Sequence, residues 1–202
     1  MFNVIKIIED INKYSIQMGG VFDKNDLLLC LNLSTANDDK FKRIIKILLK
    51  EKILFRFCRG FYITKNYNIE ILSSKIDSTS YISCETILAK KCIIGPTRNN
   101  YITAISTKPR KREYSNDIGT IKYLSIKKEL SLFGVETAGN YKVANPEKAF
   151  IDTLYFYNKG CKFNFNIYED INIELLNKKL ILEYLKNYKN SKFKTFVKGI
   201  LK

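Results

Sequence analysis

The change of hydrophobic period near Leu54 constrains this chain most. From Asp38 to Glu51 the apolar residues Phe41, Ile44, Ile45, Leu48 and Leu49 recur three and four apart, drawing one stripe along a helix. Directly afterwards, Leu54-Phe55-Arg56-Phe57-Cys58 and Phe61-Tyr62-Ile63 are rich in β-formers, and the Arg59-Gly60 pair between them suits a two-residue hairpin turn. A chain whose period switches in this way is expected to combine α and β structure in one domain.

Upstream, Val4, Ile7, Ile8, Ile11 and Tyr14 predict a first amphipathic helix that stops at Met18-Gly19-Gly20. Asp23 suits the N-cap of a short second helix through Leu27, Leu28 and Leu31, and Asn32 to Asn37 reads as a turn. Helix, short helix, turn, basic helix and basic hairpin follow one another as in a winged helix-turn-helix. There the third helix enters the major groove and the wing contacts the flanking backbone or minor groove.

On the third helix Arg43, Lys46 and Lys50 fall opposite the apolar stripe. Ser34, Thr35, Asn37, Lys40 and Arg43 are the expected base readers, whereas Lys46, Arg56 and Arg59 are expected to grip phosphate. Any solvated helix face shows the same pattern, and winged helices also serve as protein-interaction modules. Asp38 and Asp39 would repel phosphate if both faced a duplex; at a helix start they also suit the positive end of the dipole.

Lysine and arginine outnumber aspartate and glutamate by 35 to 20, a net charge of +15 that favours a polyanionic partner. A lysine-rich, AT-biased genome produces the same excess. The surplus is +5 up to Lys65 and +10 beyond it, so it belongs to both halves. With 202 residues, 46% of them hydrophobic, the chain has room for two small domains, each with its own core. The polar stretch Thr64 to Asn68 places the boundary, giving a domain of residues 1–65 and a second of 66–202.

The five cysteines are widely spaced, with no Cys-x-x-Cys pair and no histidine in the chain, so neither a zinc site nor a disulfide framework is expected. No cofactor is expected either. Residues 1–10 lack a basic segment followed by an apolar run, and no stretch approaches about 18 consecutive apolar residues, so the expected location is the cytoplasm, without a membrane span.

In the second half a short helix is expected around Ile69 to Ile76. Ser83 is read as the N-cap of a helix reaching about Ile94, before Gly95-Pro96. Strands are expected over Tyr101 to Thr107, Arg110 to Tyr114 and Thr120 to Ile126, with another ending at Val143-Ala144. Asn145-Pro146-Glu147 combines a cap, a proline at the first helical position and an early carboxylate, a strong helix start. Glu147, Lys148 and Asp152 on that helix are read as dipole and ion-pair partners rather than an acid–base cluster. Ile173 to Tyr188 has a helical pattern, and Phe193, Phe196, Val197, Ile200 and Leu201 draw a terminal stripe.

Three blocks in this half are Tyr81-Ile82-Ser83-Cys84-Glu85-Thr86-Ile87-Leu88-Ala89-Lys90-Lys91, Tyr123-Leu124-Ser125-Ile126-Lys127-Lys128-Glu129-Leu130, and Val143-Ala144-Asn145-Pro146-Glu147-Lys148-Ala149-Phe150-Ile151-Asp152-Thr153-Leu154. In this order and spacing they resemble the C-terminal domain of the AbiEi family of antitoxins from abortive-infection operons. Joined to the winged helix, the resemblance spans roughly residues 20–157. It implies an α+β protein, with an N-terminal winged helix-turn-helix followed by a compact α/β antitoxin domain and C-terminal helices.

Its implied partners are operator DNA of its own promoter, with self-association there, and a cognate nucleotidyltransferase toxin. The toxin would be opposed either by contact or through its effect on RNA. The tract Lys108-Pro109-Arg110-Lys111-Arg112 then reads as a toxin-antagonising or second nucleic-acid surface, carried by Lys108, Arg110, Lys111 and Arg112; a charged strand edge guarded against aggregation is the other reading. No constellation for catalysis stands out, so no enzyme activity is expected. A stand-alone winged-helix repressor without a toxin remains the alternative.

Overall fold

The structure is a computed structural model and describes residues 4–109 and 112–201. It is mixed α and β, and the chain divides into two compact units, Met1–Ile76 and Asp77–Lys202.

In the first unit α1 (Val4–Met18) leads into β1 (Val21–Asp23), α2 (Lys24–Cys30), α3 (Asp38–Lys50), the hairpin β2 (Phe55–Cys58) and β3 (Phe61–Ile63), and α4 (Ile69–Ile76). The strands form an antiparallel sheet in the order β1-β3-β2. Ile11 of α1, Phe22 of β1, Leu27 of α2 and Phe41, Ile44, Ile45 and Leu48 of α3 bury their side chains in one core with Leu54. The turn from α1 into β1 needs glycine: Gly20 has φ +71°, and a Cβ there would lie 2.6 Å from the Asn66 carbonyl oxygen. The Asp23 carboxylate accepts from Asp26 N at 2.9 Å while the Asp26 carboxylate accepts from Asp23 N at 2.8 Å, a reciprocal cap that starts α2.

The expected boundary after Lys65 is displaced to Ile76, because α4 is tied to the first unit. Asn68 N donates to Gly19 O at 2.8 Å, and the Lys75 ammonium pairs with the Asp26 carboxylate.

The second unit runs β4 (Tyr81–Ile82), α5 (Glu85–Lys90), β5 (Tyr101–Ser106), β6 (Arg112–Asn116), β7 (Gly119–Ser125), β8 (Val135–Ala138), β9 (Tyr141–Ala144), α6 (Pro146–Tyr157), α7 (Lys178–Tyr184) and α8 (Ser191–Ile200). Its sheet has the order β6-β7-β5-β4-β9-β8, with β5 parallel to β7 and β4 parallel to β9. The parallel pairs are joined by longer connections, β5 to β7 through β6 and β4 to β9 through the elements between them, and α5 and α6 pack on one another. Asn145 caps α6 by accepting from Lys148 N at 2.9 Å, and Ala149 to Leu154 are buried without interruption.

Ser83 is not the cap of α5. Cys84 occupies that position, with φ +52°, and the Ser83 hydroxyl instead donates to Asp152 Oδ2 at 2.8 Å. The helix also ends early, at Lys90. The expected helix over Ile173 to Tyr188 is α7 flanked by 3-10 turns at Ile173–Leu175 and Leu185–Asn187.

Candidate nucleic-acid interface

The exposed face of α3 follows from its buried one. With Phe41, Ile44, Ile45 and Leu48 turned into the core, Lys40, Arg43, Lys46, Ile47 and Lys50 are left toward solvent. Ile47 was not among the residues expected to meet DNA. It is 38% exposed in the middle of the cationic face, where an apolar side chain is suited to a thymine methyl. The signal in the sequence was its position four residues beyond Arg43.

The acidic start of α3 is internally neutralised. Asp38 lies 2.9 Å from Lys24 Nζ and 2.6 Å from Lys42 Nζ, and these partners, Lys42 foremost, lower its carboxyl to a pKa of about 2. Asp39 also faces Lys42, at 3.8 Å. Lys24 and Lys42 are thus occupied, and the positive field of α3 comes from Arg43, Lys46 and Lys50 further along.

Two of the expected base readers are engaged with each other. The Ser34 hydroxyl donates to Asn37 Oδ1 at 2.9 Å, and Ser34 N donates to the same oxygen at 3.2 Å, holding the 3-10 turn Thr35–Asn37 before α3. Thr35 is exposed on that turn.

On the hairpin Arg56 and Arg59 are both exposed. The Arg56 guanidinium lies 5.6 Å from the ring centre of Tyr62, its cross-strand partner on β3. Arg59 precedes Gly60, whose φ of +86° closes the turn. A shift of register between Arg56 and Cys58 adds local twist.

In the second unit both described ends of the basic tract are paired with one carboxylate, although Lys108 is exposed. Arg112 donates to the fully buried carboxylate of Asp77 and to Ser106 Oγ at 3.1 Å, with its guanidinium 4.7 Å from the centre of the Tyr123 ring. Lys108 Nζ lies 3.2 Å from the other Asp77 oxygen. Burial alone would raise the Asp77 carboxyl, but hydrogen bonds from Ser106, Thr79 and Arg112 hold it well below the usual carboxylate range. Arg110 and Lys111 lie outside the described residues.

Glu147, Lys148 and Asp152 are placed as structural partners. Lys148 and Asp152 form an ion pair with neither side chain exposed, and the Tyr81 and Ser83 hydroxyls donate to the same carboxylate at 3.1 and 2.8 Å. The Lys148 ammonium is 4.8 Å from the Phe133 ring centre and 5.5 Å from that of Tyr81. Burial pushes the Asp152 carboxyl up, against the pull of Lys148 and the hydroxyls. Glu147 accepts from Asn177 N at 3.0 Å.

Of the cysteines, Cys30, Cys84 and Cys161 are buried, Cys58 is half-buried and Cys92 is exposed. Among the described residues no helix is long and apolar enough to cross a membrane.

Compared with models of known protein families and with characterised proteins, the chain matches none.

Proposed function

We propose that the protein is a cytoplasmic antitoxin that represses its own operon through its first unit and counteracts a nucleotidyltransferase toxin through its second. One observation carries the repressor half: exposed Arg43, Lys46 and Lys50 line one face of α3, and the hairpin that follows exposes Arg56 and Arg59. In a winged helix-turn-helix these are the two elements that meet the duplex. In that reading α3 enters the major groove with Arg43 reading bases, and Lys46, Arg56 and Arg59 bind phosphate. Ser34 and Asn37 then act chiefly by holding the turn that aims α3.

The antitoxin half is supported by the resemblance of the blocks around β4, β7 and α6 to the AbiEi C-terminal domain. The second reading, a stand-alone repressor, is favoured by the commitment of Lys108 and Arg112 to Asp77, which removes cations from the surface assigned to toxin antagonism. Co-expression separates the two. The antitoxin reading expects growth arrest by the nucleotidyltransferase encoded beside this gene to be relieved by the full chain; continued arrest, or no such neighbouring gene, leaves the repressor alone.

A further inference from the structure

Glu85 opens α5 directly after the strained Cys84, and only 7% of it is exposed. Its Oε1 accepts from the Thr103 hydroxyl at 2.7 Å, while Thr103 N donates to Thr86 Oγ1 at 2.9 Å, so the start of α5 is bolted to β5. The second oxygen, Oε2, is buried and has no hydrogen-bond partner. Burial raises the Glu85 carboxyl, against the hydrogen bonds from the Thr103 hydroxyl and from its own backbone N–H and, least, the charge of Lys122. A buried carboxylate oxygen without a donor is costly, and a bound group that supplies the donor relieves that cost.

That side chain lines a cleft of about 490 Å³. Its other walls are the loop 95–98, Tyr101 at the start of β5, and Asn164, Phe165 and Asp170. The walls are fixed by backbone: Asn172 N donates to Ile93 O at 2.8 Å, and Asp170 Oδ2 accepts from Asn166 N at 2.7 Å. Two carboxylates, two aromatic rings and a single cation, Arg98, make this lining net negative in a chain that carries +15.

We propose that this cleft binds a small organic cation with an ammonium or guanidinium head. A small rotation of the Glu85 carboxylate brings Oε2 to the N–H groups of such a head in a charge-assisted bond, the rings of Tyr101 and Phe165 attract the cation, and Asp170 holds a second positive group. The volume suits a molecule of this size. A phosphate-bearing ligand would face both carboxylates against one arginine. The site is independent of DNA binding, so its failure would leave the repressor reading intact.

Isothermal titration of the full chain with agmatine and with spermidine tests it. Glu85→Gln keeps the shape and the acceptor for Thr103 but turns the unpaired oxygen into an N–H donor. The expected result is saturable binding of at least one probe, weakened about 30-fold or more in Glu85→Gln and about threefold in Asp170→Asn, an exposed position. Thermal melts should show Glu85→Gln no less stable than the parent, since it removes an unpaired buried charge. Absence of binding by both probes overturns the proposal. So does equal affinity in a folded Glu85→Gln, or displacement of agmatine by GMP or AMP.

Discussion

Arg112, on edge strand β6, donates to the carboxylate of Asp77, the residue that opens the second unit, and solvent does not reach that carboxylate. The pair joins residues far apart in sequence, and Ser106, Thr79 and Lys108 complete the shell around Asp77. Arg112 is therefore a structural anchor before it is a surface charge.

Replacing Arg112 by alanine leaves Asp77 with Lys108 and the hydroxyls but without its guanidinium, a loss of about 2–3 kcal/mol. Urea unfolding should show a lower midpoint with an unchanged slope. Because the Asp77 carboxyl is depressed in the folded protein, its stabilisation is complete above the ordinary aspartate pKa near 4 and is lost as pH falls below it. The Arg112→Ala variant should accordingly lose less stability than the parent between pH 5 and pH 3. An equal loss in both would contradict this role. Reversing Lys108, Arg110, Lys111 and Arg112 together to glutamate mixes unfolding with any effect on a toxin, so protection assays should reverse Arg110 and Lys111 alone.

Lys148 and Asp152 make a second test of buried charge. Lys148→Met strands a fully buried carboxylate and should cost about 3–5 kcal/mol, whereas Lys148→Met combined with Asp152→Asn should recover part of that loss. Chemical denaturation of both variants gives the comparison. A double variant weaker than the single would mean that Asp152 is held by Tyr81 and Ser83 more than by Lys148.

The local elements were largely legible. The Asp23 cap, the stripe of α3, the Arg59-Gly60 turn and the Asn145-Pro146 start each rest on neighbours in sequence, which is where capping and periodicity act. Long-range relations were not. Ser83 has the composition of a cap, yet its hydroxyl is taken by Asp152, brought alongside when β4 pairs with β9. Lys108 and Arg112 read as free charge until the sheet order places them on Asp77. At the candidate interface the cationic face of α3, Ile47 included by its spacing from Arg43, was visible from its stripe, but the mutual hydrogen bonds of Ser34 and Asn37 were not. Strands β1, β4 and β8 were missed because they have three, two and four residues, too few to show alternation.

The cysteines should be dispensable for DNA binding and differ sharply in reactivity. The thiolate is the reacting form, and burial pushes the Cys84 thiol well up and that of Cys30 to about 11, with Cys58 raised also. A thiol-reactive dye on the native protein should show one fast phase that Cys92→Ser removes, the others reacting on unfolding. Rapid labelling of Cys84 in the native state would contradict the packing around β4 and α5.

The claim that α3 and the hairpin bind DNA is tested most directly by the salt dependence of promoter binding. Fluorescence anisotropy of a labelled promoter fragment with the full chain should give a steep log–log slope. Changing Arg43 and Lys46 to alanine should weaken binding and reduce that slope by about 0.9, for the phosphate that Lys46 no longer neutralises. Absence of binding at low salt, or a folded double variant with the parent's affinity and slope, would contradict it.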